Sequence, residues 1–117
     1  MISLFTIVPA YATDYVLDQT VCEASPIYGA WLNGAECQVS DGTIDSGDQL
    51  SIPEPISLIG NVTNNGIIII NGTLGTDIGS DITNNGEIII SDEIDTEING
   101  QVYFAGLFTN NGLIENY

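Results

Sequence analysis

The sequence predicts an all-β fold. Three observations carry that expectation: a tetrapeptide that recurs through the second half of the chain, runs of isoleucine beside its copies, and the lack of any apolar stripe at helical spacing free of Gly, Asn or Pro. The tetrapeptide stands at Thr63-Asn64-Asn65-Gly66, Thr83-Asn84-Asn85-Gly86 and Thr109-Asn110-Asn111-Gly112, its glycines 20 and then 26 residues apart. Val39-Ser40-Asp41-Gly42 reads as a degenerate fourth copy, 24 residues before Gly66. β-Branched side chains lose rotamer freedom in a helix and fit a pleated sheet, so Ile67 to Ile70 and Ile88 to Ile90 read as strands.

Each copy has an apolar residue just before it (Val62, Ile82, Phe108) and an isoleucine two places after its glycine (Ile44, Ile68, Ile88, Ile114). These positions share parity, and residues two apart in a strand face the same way. Val62, Ile68, Ile70, Ile82, Ile88 and Ile90 therefore line an interior, whereas Glu87 and Glu115 sit on the opposite, solvent-facing parity.

A spacing of 20 to 26 residues is too long for one hairpin and matches one turn of a parallel β-solenoid. In that arrangement Gly at each corner tolerates positive φ, equivalent residues stack about 4.8 Å apart, and the asparagines form amide ladders. The alternative is an antiparallel β-sandwich in which every Asn-Gly closes a type I′ hairpin. Hairpins need only alternation beside the turn; repeating the Thr, both Asn, the Gly and the later Ile is what stacking demands, and the solenoid is preferred.

The pattern apolar-x-Asn-x-Gly-x-Ile, as in Val62-Thr63-Asn64-Asn65-Gly66-Ile67-Ile68 and Ile82-Thr83-Asn84-Asn85-Gly86-Glu87-Ile88, resembles the degenerate repeats of right-handed parallel β-helices in filamentous-haemagglutinin-type adhesins and autotransporter passengers. The resemblance spans residues 39–117. It implies an extracellular rod that presents surfaces, and it brings no catalytic residues with it. The family's rods run to many more repeats than the four found here.

Residues 1–12, MISLFTIVPAYA, are apolar and end on Ala10-Tyr11-Ala12, which fits a secretory leader without its basic n-region, or else a retained strand with Ile2, Leu4, Phe5 and Ile7 as donors to a neighbour. At 12 residues the segment is too short to span a bilayer, which takes about 20. Cys22 and Cys37, 15 positions apart, read as one disulfide of an oxidising compartment, with two buried thiols as the alternative; residues 13–38 then form a pinned cap over one end of the repeats.

The chain of 117 residues carries 16 Asp+Glu and no Lys, Arg or His, a formal charge of -16. No internal side-chain ion pair is available to it. Nucleic acid and anionic lipid need protein cations, so neither is expected as a partner. The commonest general base and the activated Lys are missing too, and no enzymatic activity is expected. Paired carboxylates remain the one enzymatic device, with Tyr103-Phe104 beside Glu97 or Glu115 as the best arrangement, and packing explains those aromatics better.

The function expected is that of a secreted structural or adhesive subunit that joins head to tail with copies of itself. The assembly surfaces are Leu107, Phe108, Leu113 and Ile114 on the last repeat, the donor segment at residues 2–8, and an outer stripe of Ile67, Ile69 and Ile89. The alternative is a monomeric extracellular binding module for Ca²⁺, glycan or ice. Asp41, Asp45 and Asp48 offer oxygens for Ca²⁺, as does the run Asp92, Glu93, Asp95 and Glu97. No other cofactor is implied. Asn61 and Asn71 open glycosylation sequons, and Thr63, Thr83 and Thr109 form a candidate threonine ladder for ice.

Overall fold

The computed structural model describes residues 13–77, 79–90 and 101–116. Over those residues the chain is all-β, with one short helix, α1 (Gln19–Glu23). The strands are β1 (Asp14–Val16), β2 (Ala30–Leu32), β3 (Glu36–Ile44), β4 (Gln49–Ile52), β5 (Ser57–Asn64) and β6 (Ile67–Ile70), followed by β7 (Thr73–Thr76), β8 (Asp81–Asn84), β9 (Glu87–Ile90), β10 (Gln101–Phe104), β11 (Leu107–Asn110) and β12 (Leu113–Asn116).

One sheet has the order β1-β4-β6-β9-β12, with every neighbouring pair parallel. The other contains β3, β5, β7, β8, β10 and β11 in parallel pairing, plus β2, which pairs antiparallel with β3. Strands β5 and β6 flank Asn65-Gly66 but lie in different sheets, so the tetrapeptide does not close a hairpin. The antiparallel-sandwich expectation fails at the tetrapeptides, because the strands beside them pair in parallel with neighbouring repeats; only Asn33-Gly34, both at positive φ between β2 and β3, stands in an antiparallel hairpin connection among the described residues.

Stacking in register builds the interior. Leu50, Ile68 and Ile88 lie over one another in the first sheet, and Val62 and Ile82 in the second, all buried. Each such isoleucine removed from water contributes roughly 1.5–3 kcal/mol. Parity places Glu87 outward, as expected, while Ile90 is only partly buried against the core.

The asparagines form two ladders at the corner between the sheets. Asn64 Nδ2 donates to Asn84 Oδ1 at 2.8 Å, and Asn84 Nδ2 to Asn110 Oδ1 at 2.7 Å, with Asn64 and Asn84 fully buried. The outer ladder runs the other way: Asn111 Nδ2 donates to Asn85 Oδ1, and Asn85 Nδ2 to Asn65 Oδ1, both at 2.9 Å. A carboxamide carries donor and acceptor on one short stem, which no ionised Asp can match. Asn64 Nδ2 also reaches the Glu87 carbonyl at 3.0 Å, tying the corner to the next repeat's strand.

The glycines of the tetrapeptide serve a purpose other than the expected one. Positive φ is found at Gly34, Gly47, Gly60 and Gly79, and not at Gly66, Gly86 or Gly112. A Cβ on Gly86 would fall on the Gly66 carbonyl oxygen, and one on Gly112 on that of Gly86. Close vertical stacking, not handedness of the turn, demands glycine there.

The degenerate fourth copy is also displaced from its expected place. Gly42 pairs with Val62, Thr43 with Thr63 and Ile44 with Asn64, so the equivalent of the tetrapeptide begins at Thr43. An apolar Ile44 under Asn64 ends the inner ladder at that level.

Residues 13–35 precede β3, whose start at Glu36 lies inside the segment expected as a cap. β1 adds a strand beside β4, and Leu17, Cys22 and Ile27 enter the core. Helix α1 starts where Asp18 Oδ1 accepts the Val21 N–H at 2.9 Å, an N-cap. The Cys22–Cys37 disulfide, between two fully buried cysteines, ties that helix to β3. Gly29 lies against it, and a Cβ there would sit 2.8 Å from Cys37 Sγ.

Two stability outcomes follow from this architecture. Asn84→Ala is expected to cost about 2–3 kcal/mol and the outward Asn85→Ala under about 1, because only the first breaks a buried ladder; equal urea midpoints for the two would contradict the buried-ladder account. Cys22→Ala with Cys37→Ala is expected to cost roughly 3 kcal/mol, the loop-closure value for a separation of 15 residues, read as the unfolding midpoint with and without reductant.

Candidate functional site

The surface that departs most from the rest is the end formed by β10, β11 and β12. Among the described residues these strands pair on one side only, with β7, β8 and β9. Register puts Ile114 over Ile88, yet Ile88 is 1% exposed and Ile114 38%. Leu107 (61%) and Leu113 (50%) are open to solvent, and Tyr103 and Phe104 are exposed as well. Phe104 stacks on the half-buried Phe108 with ring centroids 4.3 Å apart. The inner ladder ends here, with Asn110 Nδ2 donating to the Gly112 carbonyl at 3.2 Å. The opposite edge of the first sheet is β1, where Val16 is 57% exposed. Of the expected assembly residues, the structure thus gathers Leu107, Phe108, Leu113 and Ile114 at one end; Ile2, Leu4, Phe5 and Ile7 lie outside the described residues.

Ile67, Ile69 and Ile89 face outward but are only half-exposed, and carboxylates interrupt their stripe: Ile67 pairs with Glu87, and Ile89 with Glu115. The hydrogen bond from Glu115 raises the Glu87 carboxyl above its ordinary 4.5, with desolvation and the Glu115 charge adding to the shift. The two carboxylates are diagonal neighbours on adjacent strands, and a like charge nearby disfavours ionisation of either.

The remaining candidates are scattered. No group of three or more Asp, Glu, His or Cys that could hold a metal occurs among the described residues. Asp48 Oδ1 accepts the Thr13 N–H at 3.0 Å, while Asp41 and Asp45 are exposed; Asp92, Glu93, Asp95 and Glu97 lie outside the described residues. The Asn61 carboxamide is engaged at both ends, Nδ2 donating to the Ser40 carbonyl at 3.0 Å and Oδ1 accepting the Asp81 N–H at 2.7 Å. Asn71 Oδ1 is buried with no hydrogen-bond partner. Tyr103 and Glu115 stand in different sheets, and the Tyr103 ring covers Gly75. The threonine column has a fourth member that the sequence reading missed, Thr43 below Thr63, Thr83 and Thr109.

No helix among the described residues is long and apolar enough to cross a membrane. Comparison of the chain with protein-family models, with characterised proteins and with solved structures yields no match.

Glu87 contributes a pH dependence of definite sign. A carboxyl that holds its proton more tightly in the folded chain gives stability that is complete below the ordinary value of 4.5 and lost as pH rises through the raised one. The urea midpoint is therefore expected to climb as pH falls from neutral toward 4.5, and Glu87→Gln to flatten part of that climb. An unchanged slope in Glu87→Gln would remove Glu87 as a source.

Proposed function

We propose that this chain is a short right-handed parallel β-solenoid that serves as a structural subunit of an extracellular assembly, adding copies of itself end to end. The observation that carries the reading is the exposed apolar end: Ile114 is open in register with the buried Ile88 beneath, and Leu107 and Leu113 are exposed above Asp81 and Glu87, where the repeat below carries carboxylates. Parallel pairing across the two sheets, with the chain alternating between them, supports the solenoid, and a right-handed crossover is the rule for parallel strands in about 98% of cases. The occupant is a second copy. Its β1 is a parallel edge with an exposed Val16, at the opposite side of the same sheet from β12. Such contact between unlike ends does not close on itself and yields a filament. A disulfide agrees with an oxidising, extracellular location.

Each copy carries a formal charge of -16, so copies repel at low salt. Sedimentation velocity is expected to show association that strengthens with protein concentration and with added NaCl. Replacing Leu107 and Leu113 by Ser is expected to weaken it by about tenfold or more, roughly 1.4 kcal/mol, while leaving the unfolding midpoint of the dilute protein nearly unchanged. A single monomeric species at every concentration and salt would end the proposal.

A further inference from the structure

A groove of about 330 Å³ opens on the second sheet, lined by Gln38, Val39, Ser40, Ile59, Gly60, Asn61, Asp77 and Ser80 with Ala30. Its origin is a difference in chain length between stacked repeats. Strand β5 runs unbroken through Gly60-Asn61, whereas β3 has an irregularity between Val39 and Gly42. In the repeat above, four residues separate β7 from β8, and the Ser80 N–H donates to the Asp77 carbonyl at 3.0 Å. The middle repeat is therefore recessed between two that project. Gly60, at φ +135, allows this: a Cβ there would fall on the Val39 carbonyl oxygen.

We infer that this groove binds one ring of a neutral, hydroxyl-rich ligand, a glycan. The volume lies at the small end of ligand sites and suits a sugar ring. Its polar residues come from two elements that flank β5, Gln38 and Ser40 from β3 and Asp77 and Ser80 from between β7 and β8. The Asn61 floor is pinned by its two hydrogen bonds, so little ordering is required on binding. Among the described residues of the lining Asp77 is the only charged side chain, and as a carboxylate it accepts hydrogen bonds without donating, so it selects a ligand rich in O–H donors. A charge of -16 with no cation in the sequence opposes an anionic ligand. This goes beyond the proposed structural role and adds ligand recognition to it. It needs no association between copies, so measurements on the dilute monomer separate the two readings.

The test is amide-resolved NMR of the dilute chain, titrated separately with N-acetylglucosamine, glucose, glucuronate and spermidine. The expected result is saturable shifts at Ser40, Gly60, Asn61 and Ser80 with at least one of the neutral sugars, of millimolar affinity, and glucuronate weaker by about tenfold. Ser40→Trp, an exposed position, fills the groove and is expected to abolish the shifts, and Asp77→Ala to weaken binding about fivefold or more. No saturable shift with either neutral sugar, shifts spread away from the groove, retention of binding in both variants, or tighter binding of spermidine than of the sugars would each overturn the inference.

Discussion

Parallel strands spaced about 4.8 Å apart leave each side chain room for little but its own kind above and below. That constraint selects the residues of this protein one column at a time. Ile68 over Leu50 and under Ile88 fills its layer, and an asparagine over an asparagine passes a hydrogen bond upward. A glycine over a glycine lets the corners approach. A substitution in one row therefore acts on the rows beside it, which is why repetition in this sequence extends to particular residues and not only to polarity.

The absence of basic side chains makes the backbone and the carboxamides the partners of the carboxylates. Asp18 takes a helix N–H and Asp48 the Thr13 N–H, both hydrogen bonds that need no cation. Glu87 is held by a hydrogen bond with Glu115, one carboxyl against another. Stacking in register, which favours Ile over Ile, works against Glu near Glu, and the raised Glu87 carboxyl is the local cost of carrying a repeat on an acidic surface.

Much of this was legible in the sequence, for a physical reason. Period-two alternation and the spacing of the tetrapeptides follow directly from strands that stack, so the inward set around Val62, Ile68, Ile82 and Ile88 could be read without coordinates. The disulfide was legible from the chain's two cysteines, 15 positions apart. The role of Gly86 was not, since a residue chosen for φ and one chosen for absent Cβ look alike in sequence. Helix α1 was missed because five residues hold too little periodicity, although Asp18 three places before Val21 was a usable capping signal. Thr43 was missed because the register of the first repeat depends on the irregularity before Gly42, which no local pattern reveals. The groove was equally hidden, being the outcome of unequal lengths in three stacked segments.

The two asparagine columns differ in direction as well as in burial. Inner amides hand their hydrogens toward higher residue numbers and outer amides toward lower ones. Aligned amide dipoles add along a column as peptide dipoles do in a helix. Here two antiparallel columns run side by side, and their fields largely offset each other. Extending such a corner by further rungs would build no growing partial charge at either end, so this edge of the molecule stays electrostatically indifferent to its own length.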